Sequence, residues 1–263
     1  MDVKELQQKL NGVPLAGLRY YAETSSTNDI ALQWIDEGAA DGSLVVADFQ
    51  SQGRGRMQRK WITTPSAALA FSLILKPQPE SREGIHLYSP LGALALSQVL
   101  REQYHLNAQI KWPNDVLIQR RKTCGILTEA SWIGQDIRGV VVGIGINIAS
   151  DSIPPSDQVQ FPVTCIENET GTKVDRWNLL KEVLTSLFAW RSRMTSPDFF
   201  NAWQANLAFV GEMVRIGGDS EPQIAGKMLG ITPEGNLRVL RDDGSEVSVR
   251  VGDVHLRLAQ PSV

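Results

Sequence analysis

The chain has 263 residues, enough for one large domain and a small one, and 42% hydrophobic with 21% charged residues is an ordinary globular balance. A net charge of -3 argues against a general nucleic-acid binder, and no apolar run is long enough to cross a bilayer. Cys124 and Cys165 form no CxxC, so they offer neither a disulfide framework nor a zinc cage.

The opening MDVKELQQKLNG is polar and amphipathic, without a signal-peptide core, and a reducing cytoplasm is the expected location. In SSTNDIALQWIDEG, Ser26 or Thr27 is suited to cap a helix with apolar Ala31, Trp34 and Ile35, and Gly38 to stop it. SLVVADF then reads as a strand. It leads into QSQGRGRMQRKW, Gln50 to Trp61, where Arg54, Arg56, Arg59 and Lys60 stand out against an acidic background. Gly53 and Gly55 let a backbone approach a ligand closely, and the cations suit a small anion such as phosphate. Taken alone, the same run also fits a solvated surface or an RNA grip. Its like charges and scarce apolar surface predict a loop that stays loose until an anion arrives.

AALAFSLILK reads as a strand, and YSPLGALALSQVLREQY as a buried helix capped by Ser89 before Pro90. In KWPNDVLIQRRKTCGILTE, AQIKW and DVLI are strands joined by a tight turn at Pro113, Asn114 and Asp115, with another turn at Arg120 and Arg121. Lys111 and Lys122 would then reach one site from adjacent strands, unless this is an ordinary hairpin with solvated lysines. GVVVGIGINI is a strand with Gly143 and Gly145 but no third glycine and no following helix, so it is no dinucleotide fingerprint. DRWNLLKEVLTSLFAW puts Leu180, Val183, Leu184 and Leu187 on one helix face, and SPDFFNAWQANL begins another helix. No histidine lies near Ser25, Ser26 or Cys124 to activate a nucleophile, so capping suits the serines and packing suits the cysteine. After Leu207 short alternating strands (MVRIGG, QIAGKMLGI, NLRVL, EVSVRV, DVHLRL) form a compact all-β module. The rhythm is α+β, not doubly wound.

Together, SSTND, GRGRMQRKW, KWPNDV, CGILTE and VVGIGINI resemble the biotin protein ligases in order and spacing, and PVTCIENETG and GDVHLRL extend the likeness over nearly the whole chain. The resemblance implies a mixed-sheet catalytic domain of the class II aminoacyl-tRNA synthetase/biotin ligase type over residues 1–208 and an SH3-like β-barrel over 209–263. It implies ATP-dependent activation of biotin as biotinyl-5'-AMP, with Mg²⁺ accompanying ATP, and transfer to a lysine of a biotin carboxyl carrier protein. By motif position, Ser26, Thr27, Asn28, Gln50, Arg54, Gly55, Arg56, Lys122, Gly125, Gly143 and Gly145 would bind biotin. Arg56, Trp61, Lys111, Asn114 and Asn147 would meet the nucleotide, and Arg54, Lys111 and Lys122 would be catalytic. Asp115 would orient the incoming lysine amine, and no protein residue would hold a metal.

Two departures matter. Many members have glycine where this chain has Gln58, which implies a stiffer loop. Some members also carry an N-terminal helix-turn-helix domain, for which SSTND at Ser25 leaves no room, so no specific DNA partner and no membrane partner are expected, while a homodimer stays open. The rival within the fold is a lipoate or octanoate transferase, against which the GRGR loop and KWPND turn speak. A non-catalytic RNA or nucleotide binder fits the acidic charge poorly, and a sensor of the adenylate would not need both lysines.

Overall fold

The computed structural model describes residues 1–57, 59–77, 84–217 and 224–250, with the backbone of 256–258. Gln58, on which the stiffer-loop expectation rests, lies outside the described residues. The larger unit is a seven-stranded sheet in the order β1-β2-β3-β7-β6-β5-β4. Its strands are β1 (Gly17–Thr24), β2 (Ser43–Gln50), β3 (Ala68–Leu75), β4 (Ala108–Lys111), β5 (Asp115–Ile118), β6 (Arg121–Ile133) and β7 (Asp136–Asn147). Only β1 and β2 pair in parallel, joined through helix α2 (Thr27–Asp36), and the other pairs are antiparallel. This mixed sheet matches the expected α+β class.

Strand periodicity divides the sheet into two faces with different tasks. Leu69, Phe71, Leu73 and Leu75 of β3 join Val140, Val142, Ile144 and Ile146 of β7 in the main core. Helices α3 (Tyr88–Glu102) and α5 (Arg176–Arg191) cover that face, with Leu91, Leu94, Leu180 and Leu184 fully buried, and the short α1 (Val3–Lys9) and α4 (Ile166–Thr170) add Leu6 and Ile166 to the same core. On the opposite face Ile74 and Val141 pack with Ala31 and Ile35 of α2 in a smaller cluster. Gly143, Gly145 and Asn147 have the parity of Val141, so they belong to the α2 face. That face carries the candidate site.

The capping expectations divide. Asp175 caps α5 by accepting from Trp177 and Asn178, and Ser196 followed by Pro197 starts α6 (Pro197–Ala205) as expected. Ser89 does not cap α3; the helix starts at Tyr88 after a 3-10 turn, with Leu87 in the cap position. Pro90 is still tolerated, because the first helical N–H groups have no intrahelical partner to lose. Ser26 occupies the cap position of α2 but makes no capping hydrogen bond.

The C-terminal module is a five-stranded antiparallel sheet in the order β11-β10-β9-β8-β12. It comprises β8 (Met213–Ile216), β9 (Ile224–Ile231), β10 (Leu237–Leu240), β11 (Glu246–Val249) and β12 (Leu256–Leu258). The fully buried Trp112 donates its indole N–H to the Gly235 carbonyl at 3.1 Å, fastening this module to the β4–β5 turn.

Candidate active site

One pocket receives every residue that the motifs nominate, from Ser26 on α2 to Asn147 at the end of β7. One end is neutral and rich in hydrogen-bonding groups. Ser26, Thr27 and Asn28 open α2 and are buried, and the Thr27 backbone N–H donates to Gln50 Oε1 at 2.8 Å. Gln50 is itself held where β2 ends, its N–H donating to Thr63 Oγ1. The floor needs glycine. A Cβ on Gly143 would come within 2.0 Å of Asn28 Oδ1, and one on Gly145 within 2.3 Å of the Trp61 ring.

The loop folds back on itself. Trp61 N–H donates to the Gly53 carbonyl, Gly55 N–H donates to the Arg59 carbonyl, and the backbones of Arg54 and Lys60 pair antiparallel. A Cβ on Gly53 would lie 2.4 Å from the Trp61 carbonyl oxygen, so the return demands glycine there, whereas Gly55 meets only ordinary contacts. The loop arginines are also less exposed to mutual repulsion than their spacing implies. Arg54 grips Glu129 through two bonds of 2.9 Å and reaches Asp29 at 2.5 Å. Arg56 donates to Asn114 Oδ1 at 3.0 Å and Arg59 to Gln160 Oε1 at 2.8 Å. Self-repulsion is therefore not what sets the position of Arg54.

The other end of the pocket is cationic. Lys122 Nζ lies 2.7 Å from Asp115 Oδ1, and Lys111 Nζ lies 3.5 Å from Asp115 Oδ2. The lysines do not sit on adjacent strands, as the sequence reading had it; β5 runs between β4 and β6 and contributes the carboxylate between them. Their convergence depends on a register shift that no pattern shows. Lys122 and Gly125 are three residues apart and would face opposite sides of a regular strand. A bulge puts Cys124 opposite Val116 but Lys122 opposite Leu117, which turns Lys122 onto the face of Asp115.

Burial raises the cost of ionising Asp115, but Lys122 and Lys111 outweigh it and hold the carboxyl below its ordinary value. Burial lowers Lys111, and Asp115 opposes that shift only in part. Burial also pushes the Cys124 thiol well up, which fits a packed residue and not a nucleophile. With both oxygens facing lysines, Asp115 is engaged in holding those ammonium groups. Among the described residues no cluster of His, Cys, Asp and Glu suits a metal ion.

Trp61 was expected beside a nucleotide; its ring lies over Gly145 and Gly125, with Lys122 Nζ 5.7 Å from the ring centroid. Asn147 donates to the Thr164 carbonyl at 3.2 Å. Sequence reasoning missed the segment preceding PVTCIENETG, which lines the pocket with Pro154, Val159 and Phe161. Phe161 places its ring 4.9 Å from Lys111 Nζ. The segment is built from two 3-10 turns and irregular chain, so it carries no periodic signal.

Residues 20–147 match the Biotin/lipoate A/B protein ligase family, and residues 209–257 match the Biotin protein ligase C terminal domain. The chain is 35% identical over 201 residues to a biotin–[acetyl-CoA-carboxylase] ligase of Paracoccus denitrificans, covering 73% of this chain and 82% of that one. It belongs to the biotin protein ligase family. Another ligase of the family, the bifunctional ligase/repressor BirA of Bacillus subtilis, is 33% identical over 231 residues, with 86% of this chain and 70% of that protein covered. Among solved ligases, the Aquifex aeolicus biotin protein ligase in complex with biotin and ATP superposes with a TM-score of 0.80 at 28% identity, covering 93% of this chain and all of that one. This chain is thus a biotin ligase enzyme, and no helix among its described residues is long and apolar enough to cross a membrane.

Proposed function

We infer that the protein activates biotin with ATP and transfers it to a lysine of a biotin carboxyl carrier protein. The observation that carries this reading is the polarity of the pocket: uncharged hydrogen-bonding groups at Thr27 and Gln50, then Lys111, Lys122 and Arg56 at the opposite end. A cyclic urea suits the first, and a carboxylate meeting a phosphate suits the second. The biotin carboxylate attacks the α-phosphorus of ATP, the bond to pyrophosphate breaks, and biotinyl-5'-AMP remains. Two anions meet in that step, and Lys122 and Lys111 would offset their repulsion. Mg²⁺ belongs to this reading as part of the ATP complex, since Asp115 is occupied by the two lysines.

In the second step an uncharged carrier amine attacks the acyl carbon of the mixed anhydride, AMP leaves, and the amine proton is lost to solvent. Arg54, Arg56 and the rest of the Gly53–Trp61 hairpin would cover the intermediate and keep water from it. Residues 1–208 would supply this chemistry, and residues 209–263 would form a second module. The reading is tested by incubating the protein with biotin, ATP, Mg²⁺ and an acetyl-CoA carboxylase carrier domain. The expected result is one biotin per carrier, lost when the acceptor lysine is replaced by arginine. Labelling that survives that replacement, or none with an intact carrier, would overturn it.

A further inference from the structure

The stretch PVTCIENETG contributes only Val163 to the pocket lining, so the site described above leaves most of it without a task. Its Glu169 stands near the end of α4, with a side chain only 2% exposed. One oxygen of that carboxylate, Oε1, accepts from two donors: the Thr164 hydroxyl, and Arg121 Nη2 at 2.6 Å. Thr164 is buried, whereas Arg121 is half exposed. The ion pair therefore reaches from the interior to the surface.

Its two partners flank the strand position of Lys122. β6 pairs with β7 only as far as Cys124 opposite Ile146, two residues short of that lysine. Beyond that end, residues 162–164 take the place of β7. Lys122 N–H donates to the Pro162 carbonyl at 2.7 Å, and Thr164 N–H donates to the Lys122 carbonyl at 2.9 Å. Lys122 and Val163 face each other in this single parallel bridge, and both line the pocket. By strand alternation Arg121 and Thr164 turn to the other side, one from each chain of the bridge. Glu169 joins them there. It ties the two chains together where the ladder has stopped on the β7 side and is shifted on the β5 side.

We propose that Glu169 is a positioning residue for Lys122: by gathering Arg121 and Thr164 on one oxygen, it fixes the backbone that carries the lysine. This rests on the reading that Lys122 acts in the activation of biotin. The division of labour is clear from the contacts. Asp115 holds the ammonium at 2.7 Å, and Glu169 holds the chain from which that ammonium is presented. With Glu169 removed, Asp115 still restrains Nζ, so the rate should fall less than it does when the lysine itself is lost.

The test measures biotin-dependent ATP–pyrophosphate exchange for the parent, Glu169→Ala, Glu169→Gln and Arg121→Met, with urea unfolding alongside. Each substitution is made alone and together with Lys122→Ala. Glu169→Ala should lower kcat about tenfold, the scale of a small misplacement of a catalytic group, and change KM for biotin less than about twofold. Glu169→Gln keeps an oxygen for Thr164 but loses the charge that holds Arg121, and should fall between alanine and the parent. Arg121→Met removes the half-exposed partner, should lower kcat in the same direction, and carries the test if the Glu169 variants do not fold. Combined with Lys122→Ala, each substitution should alter the remaining exchange by less than about twofold, because no ammonium is left to position.

Glu169→Ala with lowered stability but an intact kcat would show that the carboxylate serves only the fold, and would overturn the proposal. A loss of the same factor with and without Lys122 would overturn it too. Glu169 would then act by another route, such as Asn147, whose Nδ2 donates to the Thr164 carbonyl. A parent with no biotin-dependent exchange would instead remove the activation reading itself, and the proposal with it.

Discussion

Lys122→Ala is expected to slow biotinyl-adenylate formation about a hundredfold or more, the usual loss when one preorganised donor at developing charge is removed. Lys122 Nζ stands 2.7 Å from Asp115 and beside the Trp61 ring, so its position is fixed before a ligand arrives. Lys122→Arg keeps the charge but replaces a point ammonium with a planar fork, and should recover only part of the rate. The check is the pre-steady-state formation of adenylate, measured separately from transfer to carrier. Normal adenylate formation with failed transfer would show that Lys122 serves the second step instead.

Asp115→Ala should have the largest effect on stability. The carboxylate is buried and is shared by two ammonium groups, so its removal leaves the buried Lys111 and the partly buried Lys122 facing each other without a counter-charge. Removing one partner of a buried pair costs about 3–5 kcal/mol, whatever the net worth of the intact pair. The acidic dependence has a definite sign. Because the folded-state pKa of Asp115 is lowered, its stabilising contribution is complete above the ordinary carboxyl range and is lost as pH falls through the folded value. Parent and variant should therefore differ most near neutrality and converge in acid, as measured by urea unfolding.

The same substitution should be visible in the rate. Burial already lowers Lys111, and Asp115 is the group that opposes it most. Without Asp115, Lys111 loses its proton at a lower pH, so the alkaline limb of kcat/KM should move toward neutrality. An unmoved limb would mean that the charge of Lys111 is not needed in the step.

Much of this site was legible because short motifs and strand parity act together. Gly143, Gly145 and Asn147 share one face of β7 by simple alternation, and Thr27 and Asn28 follow from a recognisable helix start. What was not legible depended on partners distant in sequence. Residues Arg121–Ile133 run as one long strand, but its bulge and its pocket face break the alternation that would reveal it. β1 is half-buried along most of its length and shows no clean pattern either. The pairing of Arg54 with Asp29 and Glu129 joins residues far apart in the chain. Ser72 did leave a signal, a single hydroxyl inside the apolar run AALAFSLILK, though its contacts with Thr27 and Asn28 appear only when α2 lies over it.

The central claim is that this pocket joins biotin to the α-phosphate of ATP. ATP–pyrophosphate exchange measures that step without a carrier. With biotin and Mg²⁺, labelled pyrophosphate should enter ATP, and lipoate should support little exchange because it lacks the urea that a site built around Thr27 and Gln50 would hydrogen-bond. Exchange that is equal with the two acids, or that needs neither, would contradict the account.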